Sequence, residues 1–233
     1  MNAGGGTVPL LRVDGVSVRA RGAWTLREIT IDAAPGEAIG VVGPRGSGKT
    51  ALLDVISGFL RPVRGRVVLD GEDITGRPAH LIARAGVARS FQTPLFLDGT
   101  AIHEAVAAAA IGRGLSPRKT REAVGRALAV TGLEAKAYDS GAALGPAEQR
   151  LLTLARVVAA APRLALLDEP LAGLALEAAG VVMWSLRRLH ELGITLIVTA
   201  HDPASLRVLC SRAVLLRDGR IVAASRPAEI RRA

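Results

Sequence analysis

Residues 43–50 read Gly-Pro-Arg-Gly-Ser-Gly-Lys-Thr, which is the spacing of a loop that binds phosphate groups. Glycine lets the backbone curl until successive N–H groups face one anion, and the dipole of a following helix adds positive potential. We expect the Lys49 ammonium to reach the β- and γ-phosphates of a nucleotide and the Thr50 hydroxyl to ligate Mg²⁺. A chance glycine turn is disfavoured because the loop follows a predicted strand and opens a predicted helix. The residues expected to bind the nucleotide here are Gly43, Pro44, Arg45, Gly46, Ser47, Gly48, Lys49, Thr50 and Ala51.

An acidic pair, Asp168-Glu169, follows the apolar stretch Leu164–Leu167. A carboxylate at the end of a buried strand can hold the coordination shell of Mg²⁺, and the next one can polarise an attacking water. The alternative for such a pair is a cap on the following turn. Because a phosphate-binding loop lies upstream in the same chain, the pair favours nucleotide hydrolysis.

His201 and Gln92 are two further polar candidates. His201 lies just past the predicted strand Ile194–Thr199, and parallel sheets bind ligands at the carboxyl ends of their strands. A histidine there could contact a γ-phosphate, although taken alone the position fits an ordinary loop histidine better. Gln92 follows a short apolar stretch and could sense Mg²⁺ or water, but a lone glutamine carries little signal.

The elements that must position these residues alternate between strands and helices. Apolar stretches at 38–42, 164–167 and 194–199 predict buried strands, and the first of them leads through the glycine loop into a helix over about 49–57. This alternation predicts an α/β domain with a mainly parallel sheet. Residues 101–144 are predicted to be mostly helical, a further helix begins near Pro146, and the tail 227–233 is predicted to be a short basic helix.

Composition excludes several classes of function. The chain has 30 basic and 21 acidic residues, yet no basic run is interleaved with aromatics, so a nucleic-acid partner is disfavoured. Its single cysteine, Cys210, permits no internal disulfide and lies in an apolar setting typical of the core. We find neither a signal peptide nor a stretch of membrane-spanning length, so we expect any membrane contact to go through a partner.

Together these residues resemble the ATPase subunits of ABC transporters over about residues 10–230. The resemblance implies a P-loop NTPase fold of α/β class over 9–233, with a mainly parallel core sheet, an N-terminal antiparallel β subdomain and a helical insert at about 95–160. Residues 1–8 are expected to be a disordered lead-in. The helical insert would carry the surface that transmits ATP hydrolysis to membrane subunits.

The resemblance also implies roles for single residues. The catalytic group would be Lys49, Glu169 and His201, with Glu169 activating water and His201 contacting the γ-phosphate. Thr50, Gln92 and Asp168 would hold Mg²⁺, and Gln92 would also couple the site to the membrane subunits. The expected cofactors are therefore ATP and Mg²⁺.

Family ATPases work as dimers in which each ATP lies between the phosphate loop of one subunit and the signature loop of the other. The expected partners are transmembrane permease subunits, a second ABC ATPase subunit in a homodimer or heterodimer and, indirectly, a solute-binding protein. No nucleic acid is expected. The predicted location is the cytoplasmic face of the cell membrane, as a peripheral subunit.

Three stretches are similar to the ATPases of branched-chain amino-acid transporters in particular. They are residues 54–59, 81–92 and 168–174. This closer resemblance implies an importer of branched-chain amino acids or of another small polar solute.

The chain departs from the family pattern at four places. In the signature loop, which should read close to Leu-Ser-Gly-Gly-Gln, Gly145 removes a hydroxyl and Ala147 adds a Cβ where backbone should approach phosphate closely. The other departures are Ala20 in the place of an adenine-stacking aromatic, Ala51 after Thr50 and Ala175 after the acidic pair. Trp24 could substitute for the missing aromatic or could simply pack on the sheet. These departures predict a weaker or asymmetric ATPase.

Two interpretations remain open, and they belong to different classes of function. In one, the chain hydrolyses its own ATP when a partner supplies an intact signature loop, while its own altered loop impairs the partner's site. In the other, the chain is a regulatory subunit that closes on ATP with little hydrolysis. A non-transport ABC protein acting on nucleic acid is disfavoured, because that class usually has two linked ATPase domains or a long coiled-coil insert.

Overall fold

The computed structural model describes residues 8–20, 22–91 and 99–230. Its strands fall into two sheets, and most of its helices lie between or beside the core strands. The strands are β1 (Leu11–Ala20), β2 (Ala23–Ala33), β3 (Ala38–Val42), β4 (Arg64–Leu69), β5 (Glu72–Asp73), β6 (Val87–Arg89), β7 (Leu164–Leu167), β8 (Thr195–Ala200), β9 (Arg212–Arg217) and β10 (Arg220–Ser225). The helices are α1 (Lys49–Ile56), α2 (Ala79–Arg84), α3 (Ile102–Gly112), α4 (Pro117–Thr131), α5 (Pro146–Ala159) and α6 (Leu176–Glu191).

The first sheet is antiparallel, with the order β2-β1-β4-β5. One face of β1 is buried through Val13, Val16 and Val18, as expected for a sheet that covers a core on one side. β2 is much longer than its apolar centre, Ile29–Ile31, indicates. Its polar residues are recruited because they pair with β1 along the whole edge, and cross-strand pairing overrides weak local propensity.

The second sheet has the order β10-β9-β3-β8-β7-β6. The strands from β9 to β6 pair in parallel, whereas β10 is antiparallel to β9 at one edge. β3 and β7 are buried at every position, which is the pattern of strands covered on both faces. The mainly parallel core sheet predicted from the sequence is therefore confirmed. The carboxyl ends of β3, β8 and β7 lie side by side.

Three helices, α3, α4 and α5, lie in the chain between β6 and β7. They pack on one another through small and branched side chains such as Ile102, Val106, Ala127, Leu152 and Ala155. α4 begins where Ser116-Pro117 predicts, although the Ser116 hydroxyl makes no capping bond. The segment between α4 and α5 holds two 3-10 turns, Glu134–Lys136 and Gly141–Ala143, so the predicted helical stretch is interrupted there.

The predicted basic helix at the tail is wrong within the described residues. Pro227–Glu229 forms a turn after β10, closed by a bond from the Glu229 N–H to the Arg226 carbonyl. So short a segment cannot recover the cost of nucleating a helix. Ile230 is buried and holds the end of this segment on the domain.

Cys210 lies in the apolar core beside the core sheet, as its sequence setting predicts. Burial raises the pKa of its thiol to about 12. Because the nucleophile is the thiolate, the side chain is unreactive near neutral pH, in agreement with its assignment as a core residue.

Candidate nucleotide site

The phosphate loop, Gly43–Thr50, leaves β3 and passes between two other strands before α1 begins. A Cβ on Gly43 would lie 2.2 Å from the carbonyl oxygen of Leu216, and one on Gly48 would lie 2.9 Å from that of Thr25. Gly48 is also the N-cap of α1 and has a φ of 107°. Glycine is required at both places because backbone from β9 and β2 occupies the space of a side chain.

The turn between β9 and β10, Asp218-Gly219, supports the phosphate loop from outside. The Gly219 N–H donates to the Ser47 carbonyl at 3.1 Å, and the Gly219 carbonyl accepts from the Arg27 N–H at 2.7 Å. A Cβ on Gly219 would lie 2.5 Å from the Thr25 carbonyl oxygen. This brace was not predicted. Its sequence signal is only that of an Asp-Gly hairpin turn.

Lys49 points back into its own loop. Its Nζ donates to the carbonyls of Gly43 at 2.8 Å and Pro44 at 2.9 Å, and lies 3.4 Å from Oε1 of Glu169. The Lys49 side chain is 4% exposed. A buried ammonium of this kind needs compensating oxygen atoms, and here the loop carbonyls and one carboxylate supply them.

His201 contacts both of these charged groups. Its Nε2 lies 3.0 Å from Oε2 of Glu169, and its Nδ1 lies 3.3 Å from Nζ of Lys49. The neutral tautomer with its proton on Nε2 donates to Glu169 and accepts from Lys49, so it satisfies both contacts at once. The three predicted catalytic side chains therefore meet at one point. Glu169 and His201 lie just after β7 and β8, whereas Lys49 begins α1 and is brought to them by the loop after β3.

Asp168 is fixed by residues that sequence reasoning missed. Its Oδ1 accepts from the Thr199 hydroxyl at 2.8 Å, and its N–H donates to Oγ of Ser90 at 3.0 Å. The same Thr199 hydroxyl accepts from the Glu169 N–H at 2.8 Å. Thr199 thus holds the acidic pair in place. The sequence signal for Thr199 would have been its position near the end of the strand that precedes His201.

The backbone of Glu169 is strained. Its φ is 47°, in the left-handed region that costs a non-glycine residue about 1 kcal/mol. This conformation turns the chain sharply after Asp168, so that the two consecutive carboxylates point in different directions. Asp168 is buried, whereas Glu169 faces the cleft.

The cleft at this end of the sheet has a volume of about 420 Å³. The residues that line it are Thr25, Arg45, Gly46, Gly48, Lys49, Thr50, Ala51, Glu169 and His201. Gln92 lies outside the described residues. Trp24 is half-buried on β2, carries the Arg19 guanidinium 5.0 Å from its ring centroid, and does not line the cleft.

The donor set of the cleft fits Mg²⁺ in the presence of a nucleotide. Thr50 is exposed to the cleft, and the Ser47 hydroxyl is buried without a hydrogen-bond partner in the described part of the chain. No group of three or more His, Cys, Asp or Glu side chains that could hold a metal occurs within the described residues. Mg²⁺ is commonly held by one or two protein groups together with phosphate oxygens and water, which matches so sparse a set.

The signature loop, residues 144–149, lies at the start of α5, whose N-cap is Gly145. Oε2 of Glu148 accepts from the Gly145 N–H at 3.1 Å, and Oε1 of Glu148 pairs with Lys136. The bond from Lys136 and then that from the Gly145 backbone hold the pKa of Glu148 below its usual value. The positive end of α5 therefore already carries a carboxylate of its own.

Residues 26–172, more than half of the chain, match the family model described as ABC transporter. The chain belongs to the ABC transporter family. As an ABC ATPase it binds and hydrolyses ATP. Among the described residues, no helix is both long and apolar enough to cross a bilayer.

Relatives of the chain serve several kinds of transport. It is 33% identical to a lipopolysaccharide export ATP-binding protein of Acidithiobacillus ferridurans, over 88% of this chain and 85% of that protein. It is 36% identical to an Fe(3+) import ATP-binding protein of Streptomyces coelicolor, over 95% of this chain but 63% of that protein. It is 31% identical to a high-affinity branched-chain amino-acid transport ATP-binding protein of Pseudomonas aeruginosa, over 96% of this chain and 94% of that protein. The branched-chain subfamily is therefore one of several that the chain resembles.

Solved structures confirm the fold class. The ATP-binding cassette MJ1267 of an ABC transporter superposes with a TM-score of 0.87 at 25% identity, over 96% of this chain and 94% of that one. The ADP conformation of the same cassette superposes with a TM-score of 0.83.

Two histidines outside the cleft contact backbone carbonyls. His103 and His190 contact the carbonyls of Ala137 and Gly36 through one ring nitrogen each, at 3.0 and 2.8 Å. Each contact holds a ring against the backbone of a distant segment, so both histidines have structural roles.

The Gly219 brace leads to a test on the phosphate loop. Gly219→Ala should weaken ATP binding about tenfold, because the new methyl group must push the turn away from Thr25 and release the bond to Ser47. Calorimetric titration with ATP measures the change.

Gly71→Ala is the matched control. Gly71 follows an aspartate in the same kind of turn and has a φ of 81°, against 73° for Gly219, but a Cβ there meets nothing within 4 Å. Both variants carry the same backbone strain, so equal ATP affinities would contradict a role for the brace.

Proposed function

We propose that this chain is the ATP-hydrolysing subunit of an importer for branched-chain amino acids or a similar small polar solute. The observation that carries the ATPase half of the proposal is the meeting of Lys49, Glu169 and His201 at the ends of β3, β7 and β8. The solute half is supported by the three subfamily stretches and by the similarity to the Pseudomonas protein over nearly the whole of both chains.

The contacts of Glu169 suggest how ATP would prepare the site. Without phosphate the charge of its carboxylate is balanced by Lys49, and the neutral His201 ring donates a hydrogen bond to it. A bound γ-phosphate offers Lys49 stronger partners than the loop carbonyls, since charge-assisted bonds to phosphate are short and strong. Withdrawal of Lys49 then leaves Glu169 free to accept a proton from the attacking water, while His201 donates to the γ-phosphate.

Asp168 and Glu169 would have different roles, because the turn at Glu169 directs their carboxylates apart. Mg²⁺ would neutralise charge on the phosphates. Thr50 and Asp168 would hold it, with Gln92 as a third proposed ligand, and Thr199 would fix the orientation of Asp168. The Gly43–Thr50 backbone would bind the phosphates, with Arg45 and Ala51 at the rim of the cleft.

A groove of about 390 Å³ supports the proposed permease partner. This insert groove lies between the core sheet and the helices α3 and α5, and it is mostly apolar. Its lining includes Phe59, Ile82, Phe91, Ala109 and Val157, with Arg89, Arg113 and Arg156 among them. A concave apolar surface with a few cations fits an amphipathic helix of a membrane subunit. We place the chain at the cytoplasmic face of the membrane, with a solute-binding protein acting indirectly through the permease.

The signature loop supports a second, distinct ATPase subunit as dimer partner. Gly145 offers no hydroxyl to a γ-phosphate, and Glu148 places a carboxylate at the helix end that would face it. Repulsion between the Glu148 carboxylate and the γ-phosphate would weaken the ATP site that this loop completes. The chain's own phosphate loop and acidic pair stay intact, so we propose one strong and one weak ATP site per dimer.

The role of Glu169 predicts opposite effects on binding and turnover. Glu169→Gln should lower the hydrolysis rate by about 10²–10⁴-fold, because the group that accepts the proton is lost. ATP affinity should stay equal or rise, since the carboxylate that competes for Lys49 is gone. Phosphate release and calorimetry measure the two quantities, with the exposed Glu177→Gln as the control. A variant that retains the wild-type rate would rule out Glu169 as the base.

The altered signature loop predicts a gain of function. In a dimer of this chain alone, the double change Gly145→Ser and Ala147→Gly should raise ATP hydrolysis by about tenfold or more, because it restores a donor to the γ-phosphate. Gly125→Ser, on the exposed side of α4 with open space around it, is the control. Brisk hydrolysis by the unaltered homodimer, or no gain in the double variant, would contradict the asymmetric dimer.

A further inference from the structure

Arg89 is a buried cation at the end of β6 that the ATPase mechanism above leaves unused. Its side chain is 5% exposed. Nη1 pairs with the Asp54 carboxylate and donates to Oγ of Ser57 at 3.0 Å, both near the end of α1. Nη2 lies 3.7 Å from Oδ2 of Asp168. One guanidinium therefore joins the helix that follows the phosphate loop to the carboxylate proposed to hold Mg²⁺.

The other side of Arg89 faces the insert groove. The guanidinium carbon lies 5.0 Å from the ring centroid of Phe91 and 5.7 Å from that of Phe59. The two rings meet edge to face with centroids 5.4 Å apart. All three residues line the groove, and Phe59 and Phe91 are partly exposed in it. Nε of Arg89 is buried without a hydrogen-bond partner in the described part of the chain.

The geometry gives Arg89 control over the charge that Asp168 presents. Oδ1 of Asp168 is held by a short bond from Thr199, whereas Oδ2 has a longer ionic contact to Arg89. In a buried setting the attraction of unlike charges is weakly screened, and it grows as their separation falls. A small movement of the guanidinium toward Asp54 or toward Asp168 therefore changes how much negative charge remains for a metal ion.

We propose that Arg89 is a positioning residue that sets the Mg²⁺ affinity of the site through Asp168, and that Phe59 and Phe91 make its position sensitive to a helix seated in the insert groove. The inference rests on the proposed function, because it assigns a regulator to the same nucleotide site. It extends that function by naming the physical link between the partner surface and the metal. Arg89 does not itself touch the nucleotide.

The test separates metal binding from nucleotide binding. ATP affinity of the full chain is measured by calorimetry twice, once with excess EDTA and once with saturating Mg²⁺. Arg89→Lys keeps the charge but loses the planar fork that spans Asp54 and Asp168. It should bind ATP in EDTA within about twofold of wild type. The gain in affinity due to Mg²⁺ should rise several-fold, because the contact of Nη2 with Oδ2 of Asp168 is lost and more negative charge remains for the metal.

Two further variants test the two ends of the link. Asp54→Asn removes the charge that holds Arg89 away from Asp168, so the Mg²⁺-dependent gain should change in the opposite direction and fall, without any substitution at Asp168 itself. Phe59→Ala removes the aromatic contact from the groove side and should shift the gain by a few-fold. Val63→Ala, at an exposed position outside the groove lining, is the control for Phe59.

Arg212→Lys is the control for Arg89. Arg212 also pairs with a carboxylate, Glu37 at 3.1 Å, but lies on β9 away from Asp168. Unchanged Mg²⁺ dependence in Arg89→Lys and Asp54→Asn would overturn the inference and leave the ATPase proposal standing. So would equal losses with and without Mg²⁺, which indicate a purely structural role. A wild-type chain that binds no ATP under either condition would overturn the proposed function and this inference together.

Discussion

The carboxylate of Glu169 lies between the Lys49 ammonium and the His201 ring, and the rest of the site is arranged around that contact. These side chains come from distant parts of the sequence and meet because β3, β8 and β7 are adjacent and parallel. In a parallel sheet all carboxyl ends reach the same edge, so the segments that follow these strands, including the loop from β3 to Lys49, meet at one cleft. The burial of these strands on both faces fixes their register and therefore the distances in the site.

The low dielectric of the sheet edge explains why so many polar partners surround these groups. Lys49 and Asp168 are nearly buried, and a buried charge is tolerated only when it is paired or hydrogen-bonded. Loop carbonyls and Glu169 compensate Lys49, while Thr199, Ser90 and Arg89 surround Asp168. ATP and its metal would enter a site whose charges are already balanced, so binding requires an exchange of partners rather than the creation of new charge.

Sequence reasoning reached the elements whose signals are local. The glycine and lysine spacing, the apolar run before Asp168 and the strand before His201 each carry their own pattern, and the structure places their residues together. The brace at Gly219 and the links from Thr199 and Arg89 were missed, because each depends on contacts between segments that are far apart in the chain. A hydroxyl or an Asp-Gly turn has the same local appearance whether or not it touches a functional residue. The predicted helix at the tail was wrong for a different reason. The segment is too short for its local helix propensity to offset the cost of nucleating a helix.

The signature loop differs from the family pattern in its sequence and in the charge at the start of its helix. Its sequence departs from the family pattern at Gly145 and Ala147, and the structure adds that Glu148 caps its helix. The family shown by the match over residues 26–172 fixes ATP as the ligand class, but relatives in export, iron uptake and amino-acid uptake leave the solute to direct tests.

The most direct test of the account is calorimetric titration of the full chain with MgATP beside Lys49→Ala, with the exposed Lys119→Ala as control. We predict binding by wild type and Lys119→Ala and a loss of about a hundredfold in Lys49→Ala, because the buried ammonium supplies the charge-assisted bonds to phosphate. Equal affinities for wild type and Lys49→Ala, or no binding by the wild-type chain, would contradict the claim that this cleft is the ATP site.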